Sequence, residues 1–168
     1  MKKIGSQDRV SGGANGKETE QMPAEIMPVM GEYRYTIDAK NRLFIPAKHR
    51  EALGETLVIY PNLRNDSLRI CSVDEWRETV EKISRLPAQD REELLSYFNK
   101  KGDTFTPDSQ GRVTLNQSLV DHAGLSGQVV IIGCGRNAAI WSAEKYDGID
   151  DSAARGKLAE LADRADVF

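Results

Sequence analysis

The sequence predicts a mainly β protein with short helices, built from two tandem modules of the order β-β-α-β-β. Similar stretches recur after a shift of 70 residues, as from Asp38 to Asp108. Within each stretch, short strands of alternating residues flank a short helix that ends at a glycine. Because a module of about 45 residues buries little apolar surface alone, we expect the two modules to pair into one pseudo-symmetric unit.

The repeat is extended rather than confined to one motif. The letters YTID at 35–38 match FTPD at 105–108, and RLFI at 42–45 match RVTL at 112–115. Self-similarity at a fixed spacing indicates that one supersecondary unit has been used twice.

Each element of the module has a local cause. Alternating residues predict a strand over 33–37 and a second over 42–45, joined by a tight turn. Pro46 suits the start of a short helix and Gly54 its end. In the second module Asn116 takes the capping position and Gly124 closes the helix. Two further strands follow each helix, and they are predicted at 57–60 and 67–71, and at 128–132 and 138–141.

Five segments are predicted along the chain. Two helices connect the modules: the first begins with a capping box of Ser72 and Glu75, and the second begins after Pro87. The start of the chain is poor in large apolar residues and is expected to be disordered. The predicted segments are a disordered extension (1–30), the first module (31–76), a helical connector (77–102), the second module (103–146) and a C-terminal helix or tail (147–168).

Composition and charge indicate a protein of the reducing cytoplasm. Cys71 and Cys134 are its only cysteines and lie far apart, so neither a disulfide framework nor a structural zinc site is predicted. No stretch approaches the roughly 20 apolar residues that span a bilayer. The net charge is −3, yet residues 31–54 carry five basic and three acidic residues. Such an element attracts phosphate, although the same composition fits an ordinary solvated surface.

A repeated Asp-x-x-x-Arg motif occupies the strand-to-strand turn of both modules. Asp38 and Asp108 suit the start of a turn, where a carboxylate accepts backbone N–H groups. Gly111, and Asn41 as the next best residue, tolerate the positive φ that such a turn requires. The motif arginine is paired with the aspartate as a structural clamp, presented outward to phosphate and base edges, or used in both ways at once.

Two segments carry a family resemblance, and they are GEYRYTIDAKNRLFIPAKHREALG and DSQGRVTLNQSLVDHAGL. They resemble the two halves of the MraZ family, and the resemblance covers residues 31–146. It implies AbrB-like swapped-hairpin modules that form one double-psi-type barrel unit, and ring-shaped homo-oligomers associated with the nucleoid. It also implies binding to direct repeats in the promoter of the cell-division and cell-wall gene cluster.

The same resemblance supplies candidate DNA-binding residues, with Asp38, Asn41, Asp108 and Gly111 structuring the turns. Since Gln110 replaces Lys40 in the second motif, the first module is expected to dominate phosphate contact. Two departures from the family are Asn41, where glycine is usual, and the long N-terminal extension. The matched motifs supply Arg42, Lys40 and Arg112 as candidate DNA-binding residues, and Arg34 and Arg50 are further candidates because they flank the first motif.

Two other classes of function remain open at this point, a small enzyme and an oligomeric scaffold that does not touch DNA. No nucleophile–base pair or metal-ligand spacing is evident, so no enzyme activity, cofactor or metal is predicted. His49 and His122 are expected to be surface or packing residues. Gly133-Cys134-Gly135 lacks the remaining parts of a phosphate-binding loop and is expected to be a hairpin turn.

Overall fold

The computed structural model describes residues 28–149 and 151–167, and its elements follow the predicted order. In chain order they are β1 (Glu32–Thr36), β2 (Arg42–Phe44), α1 (Ala47–Leu53), β3 (Leu57–Pro61), β4 (Leu68–Ser72), α2 (Val73–Ile83), α3 (Ala88–Lys101), β5 (Asp103–Phe105), β6 (Arg112–Thr114), α4 (Gln117–Ala123), β7 (Gln128–Gly133), β8 (Ala138–Ser142), α5 (Ala143–Asp147) and α6 (Arg155–Arg164). The predicted fold class, mainly β with short helices, is confirmed.

The strands of the two modules interleave. One sheet has the order β1-β7-β8-β4-β3-β5, and β2 pairs with β6 in a separate two-stranded ribbon. The first two strands of each module therefore pair with strands of the other module: β1 with β7, β5 with β3, and β2 with β6. This exchange is the arrangement expected of swapped hairpins, and it makes each module depend on its twin.

The β2–β6 ribbon has a core face and an outer face. Leu43 lies directly opposite Val113 in the register, and the two residues are only 0% and 2% exposed. Because side chains alternate along a strand, the flanking residues of both strands point the other way. We call this the outer face, and it comprises Arg42, Phe44, Arg112 and Thr114.

One continuous hydrophobic core joins the modules. The buried cluster combines Leu43, Ile45 and Ile59 of the first module with Leu115 and Ile131 of the second, all at most 2% exposed. Burial of this kind stabilises by about 25 cal/mol per Å² of apolar surface removed from water. Neither module has a separate core, so the pair is the folding unit.

Local caps explain where the helices begin and end. The Asn116 side chain accepts a hydrogen bond from Leu119 N, and Gly124 ends the helix α4 in the left-handed region. Ser72 accepts from Glu75 N at the start of α2, as predicted. The short helix α5 was not predicted, although its cap, Ser142, falls on Ser72 after the same 70-residue shift.

The connector helices pack on the sheet through an aromatic cluster of Tyr60, Trp76 and Phe98. Their ring centroids lie 5.0 to 5.7 Å apart. Tyr60 is on β3, so the cluster ties both α2 and α3 to the first module. By contrast, α6 buries none of its residues. No helix in the described part of the chain is long and apolar enough to cross a membrane.

The folded unit begins before the predicted boundary at residue 31. Most of the predicted extension lies outside the described residues, but Val29 is 2% exposed and exchanges backbone hydrogen bonds with Gly135. A Cβ on Gly133 would lie only 2.3 Å from Val29 O. Gly133 therefore admits the backbone of Val29 and Met30, and the Gly133-Cys134-Gly135 run lies at the β7–β8 hairpin.

Candidate nucleic-acid interface

The first Asp-x-x-x-Arg motif forms a closed turn organised by one carboxylate. Oδ1 of Asp38 accepts hydrogen bonds from the backbone N–H groups of Lys40 and Arg42, both at 2.9 Å. Oδ2 accepts from Arg42 Nε at 2.6 Å. Asn41 has a φ of 59°, the left-handed conformation that asparagine tolerates better than most residues. The aspartate thus fixes both the turn and the start of the arginine side chain.

The second motif repeats this geometry. Oδ1 of Asp108 accepts from Gln110 N at 2.9 Å and Arg112 N at 3.0 Å, and Oδ2 accepts from Arg112 Nε at 3.3 Å. Gly111 has a φ of 79° where the first turn has Asn41. The two turns are therefore equivalent in backbone structure although their middle residues differ.

Hydrogen bonding keeps both turn carboxylates ionised. The backbone N–H of Arg42 is the main cause that lowers the pKa of Asp38, and the backbone N–H of Arg112 does the same for Asp108. The arginine side chains add to this effect through their own hydrogen bonds and charge. Each carboxylate therefore serves both the backbone of its turn and the side chain of its arginine.

Each motif arginine is clamped at one nitrogen and open at the others. Arg42 and Arg112 pair with their aspartates through Nε, and within residues 28–149 and 151–167 their η nitrogens have no hydrogen-bond partner. The side chains are 37% and 32% exposed. The structural clamp and the outward presentation are therefore compatible in the same side chain.

The two arginines share the outer face of the ribbon. Arg42 lies opposite Thr114, and Phe44 lies opposite Arg112, so the arginines are diagonal neighbours across the strand pair. Such positions are about 7–8 Å apart in an antiparallel pair. The turns that precede β2 and β6 lie at opposite ends of this face.

Each turn is braced by residues of the other module. Asn41 donates a side-chain hydrogen bond to Gln117 Oε1 at 3.2 Å, and Leu115 N donates to Asn41 O at 2.9 Å. At the other end Ile45 N donates to Gly111 O at 2.9 Å. The sequence predicted the turns but not this bracing by Gln117, which depends on strand pairing between modules.

The remaining candidate residues occupy three different environments. Lys40 is exposed at the tip of the first turn, and its side chain has no partner among the described residues. Arg50 is half-buried and its Nε donates to Ile45 O at 3.0 Å. Arg34 lies on β1, away from the outer face, where all its guanidinium nitrogens bond to Asp147 or Glu32.

Two titratable groups outside the turns, His49 and Cys71, are fully buried and serve packing. His49 is fully buried, its ring packs edge-on against Tyr33 with centroids 5.2 Å apart, and burial lowers its pKa. Burial also raises the pKa of the Cys71 thiol to about 12, which keeps the thiol protonated and unreactive at neutral pH.

Comparison with known proteins assigns the chain to a family. The family model described as "MraZ protein, putative antitoxin-like" matches residues 29–98 and again 101–168. The "Transcriptional regulator MraZ" of Clostridium tetani is 35% identical over 125 residues, covering 73% of this chain and 87% of that protein. The proteins of the same name from Caldanaerobacter subterraneus subsp. tengcongensis and Carboxydothermus hydrogenoformans are 35% and 37% identical, covering 83% and 80% of this chain and 98% and 94% of those proteins.

The two matches of the family model agree with the two modules, and they confirm the resemblance that the turn motifs indicated. The relatives are named as regulators of transcription and not as enzymes, which agrees with the prediction that no enzyme activity is present. The chain belongs to the MraZ family.

Proposed function

We propose that the protein is a DNA-binding transcriptional regulator that binds duplex DNA through the outer face of its β2–β6 ribbon. The observation that carries this proposal is the pair of clamped, partly exposed arginines, Arg42 and Arg112, on one face of the ribbon, with η nitrogens that have no hydrogen-bond partner among the described residues. The printed names of the relatives support a role in transcription.

In this proposal the two Asp–Arg ion pairs orient the arginine side chains for DNA binding. Asp38 and Asp108 hold Nε of their arginines, so the planar guanidinium groups are already oriented in the free protein. The arginine side chains therefore lose less conformational entropy when DNA binds. The η nitrogens then donate to phosphate oxygens or to O6 and N7 of guanine in the major groove. Lys40 adds a phosphate contact at the first turn. Arg34 contributes least, because its nitrogens already bond to carboxylates.

The finer parts of the proposal come from the family resemblance. They are a ring-shaped homo-oligomer in the cytoplasm and nucleoid, and direct repeats in the promoter of the cell-division and cell-wall gene cluster as the target. A ring that presents one outer face per protomer would join weak individual contacts into tight binding when the repeat spacing matches. Phosphate contacts also make such binding fall steeply with salt.

A gel-shift titration on the DNA upstream of the protein's own gene tests the proposal. We expect the wild type to shift this DNA in a salt-sensitive way and Arg42→Ala to lose the shift at unchanged oligomer size. Arg136→Ala is the matched control, because Arg136 pairs with Glu78 and lies on the β7–β8 hairpin, away from the outer face. A normal shift by Arg42→Ala would contradict the proposed site. A wild type that binds no DNA would favour the scaffold hypothesis.

A further inference from the structure

Arg50 belongs to the first module in sequence but contacts the turn of the second module. A Cβ on Gly111 would lie 2.8 Å from Arg50 Cζ and 2.9 Å from its Nη2. The guanidinium also lies over the Phe44 ring, with Cζ 5.6 Å from the ring centroid, and Nε donates to Ile45 O at 3.0 Å. The side chain is therefore held at three points beside the second turn.

The guanidinium of Arg50 still has N–H groups available for a ligand. Within the described ranges, the η nitrogens of Arg50 have no hydrogen-bond or ion-pair partner. Phe44 and Arg112 lie on the outer face, so Arg50 is placed next to the clamped arginine of the second turn. An arginine that is fixed on an aromatic ring and open at its η nitrogens suits a phosphate oxygen.

The two turns differ in where their second cation originates. The first turn has Lys40 within its own motif, whereas the second has the neutral Gln110 at that position. The residue that matches Arg50 after the 70-residue shift is Val120, which is buried at 7% exposure. The first turn thus has no helix arginine, and the second has no turn lysine.

We propose that Arg50 completes a second phosphate-binding site with Arg112. Each protomer then contacts the DNA backbone at two turns, and each turn presents two basic side chains. This inference rests on the proposed DNA binding. It gives the second turn a second cation, but that cation comes from the first module, which then supplies Lys40, Arg42 and Arg50 of the four. Each turn then has two cations beside it. The second cation of the second turn comes from the contact between Arg50 and Gly111, which joins the two modules and is not part of the sequence repeat.

The surroundings of Arg50 also define the kind of ligand. An open cleft of about 620 Å³ lies beside it, and its lining includes the carboxylates of Glu51, Glu55 and Asp108. These carboxylates disfavour a small free anion inside the cleft. A polyanion that lies across the outer face is anchored by Arg42 and Arg112 and does not have to enter the cleft. The DNA backbone is such a ligand.

Affinity measurements on a duplex from upstream of the protein's own gene test this site. The variants are Arg50→Gln, Gln110→Lys, the double variant, and Arg136→Gln as a charge-matched control. We expect Arg50→Gln to weaken binding about tenfold and to lower the salt slope by about one unit, as the loss of one phosphate contact does. The double variant should recover both quantities, because Gln110→Lys restores the second cation in the position that the first turn uses.

The outcomes separate this site from the proposed function. If the wild type binds and Arg42→Ala does not, DNA binding stands. If Arg50→Gln then matches the wild type in affinity and salt slope, the second site is overturned. A loss of affinity that Gln110→Lys does not recover, with an unchanged salt slope, also overturns it, because Arg50 would then only support the turn. If the wild type binds no DNA, both proposals fail together.

Discussion

Leu43 of the first module lies directly opposite Val113 of the second, and this pair is the buried underside of the face that carries Arg42 and Arg112. The contact joins the core to the candidate interface, because whatever holds Leu43 against Val113 also holds the two arginines in register. We therefore expect the stability of this ribbon and its proposed DNA binding to be coupled.

The first prediction concerns that buried pair. We expect Leu43→Ala to lower the free energy of unfolding by about 2–5 kcal/mol, the range for a leucine truncated in a packed core. Because the modules share one core, unfolding monitored by urea titration should remain a single transition. Thr114→Ala, on the exposed side of the same ribbon, is the control and should change stability by less than about 0.5 kcal/mol. Two separate transitions would show that the modules fold independently.

The second prediction compares the middle residues of the turns. Gly111→Ala should destabilise the protein by about 1–2 kcal/mol, the cost of a left-handed residue that has a Cβ. Its Cβ would also press on Arg50 and Phe44, so DNA affinity should fall. Asn41→Gly should cost less, because glycine accepts the same φ and only the hydrogen bond to Gln117 is lost. Thermal unfolding of both variants checks the order, and equal losses would argue against the described turn geometry.

The third prediction is a dependence of stability on pH. The pKa of Asp38 and of Asp108 is lower in the folded protein than in the unfolded chain. Their contribution is therefore complete above the unfolded pKa and is lost as the pH falls through the folded pKa. Asp38→Asn with Asp108→Asn should flatten the acid side of the stability profile, measured by chemical denaturation. An equally steep acid loss in the double variant would contradict the assignment.

The fourth prediction concerns the backbone of residues 29–31. Gly133→Ala places a Cβ 2.3 Å from Val29 O and 2.4 Å from Met30 N, so we expect a loss of about 1–3 kcal/mol from overpacking. Hydrogen exchange should increase at Val29 and Gly135, which exchange backbone hydrogen bonds. Gly156→Ala on α6 is the matched control, since a Cβ there meets nothing within 4 Å. Wild-type protection at Val29 in Gly133→Ala would contradict this packing.

Local features of the fold could be predicted from the sequence because their causes lie within a few residues. The caps at Ser72 and Asn116 and the turns at Asp38 and Asp108 depend on side chains that reach only two to four positions along the chain. The 70-residue repeat then placed both turns in equivalent modules. The helix α5 was missed because it spans only five residues, too few for a periodic pattern.

Features that depend on pairing between modules could not be predicted. Arg50 and Gln117 brace the turns of the opposite module only because β2 pairs with β6, and no local pattern indicates that partner. Arg34 lies on a strand that the sequence predicts, but its partner Asp147 is 113 residues away, and no local pattern indicates this pair.

Photo-crosslinking from the tip of the first turn tests the proposed interface most directly. A p-benzoylphenylalanine replaces Lys40 in one variant and Arg136 in another, and each is irradiated with labelled DNA from upstream of the protein's own gene. The proposal predicts covalent protein–DNA product from position 40 and none from position 136. Product from position 136 alone, or none from position 40 in a variant that still shifts the DNA, would contradict binding through the outer face.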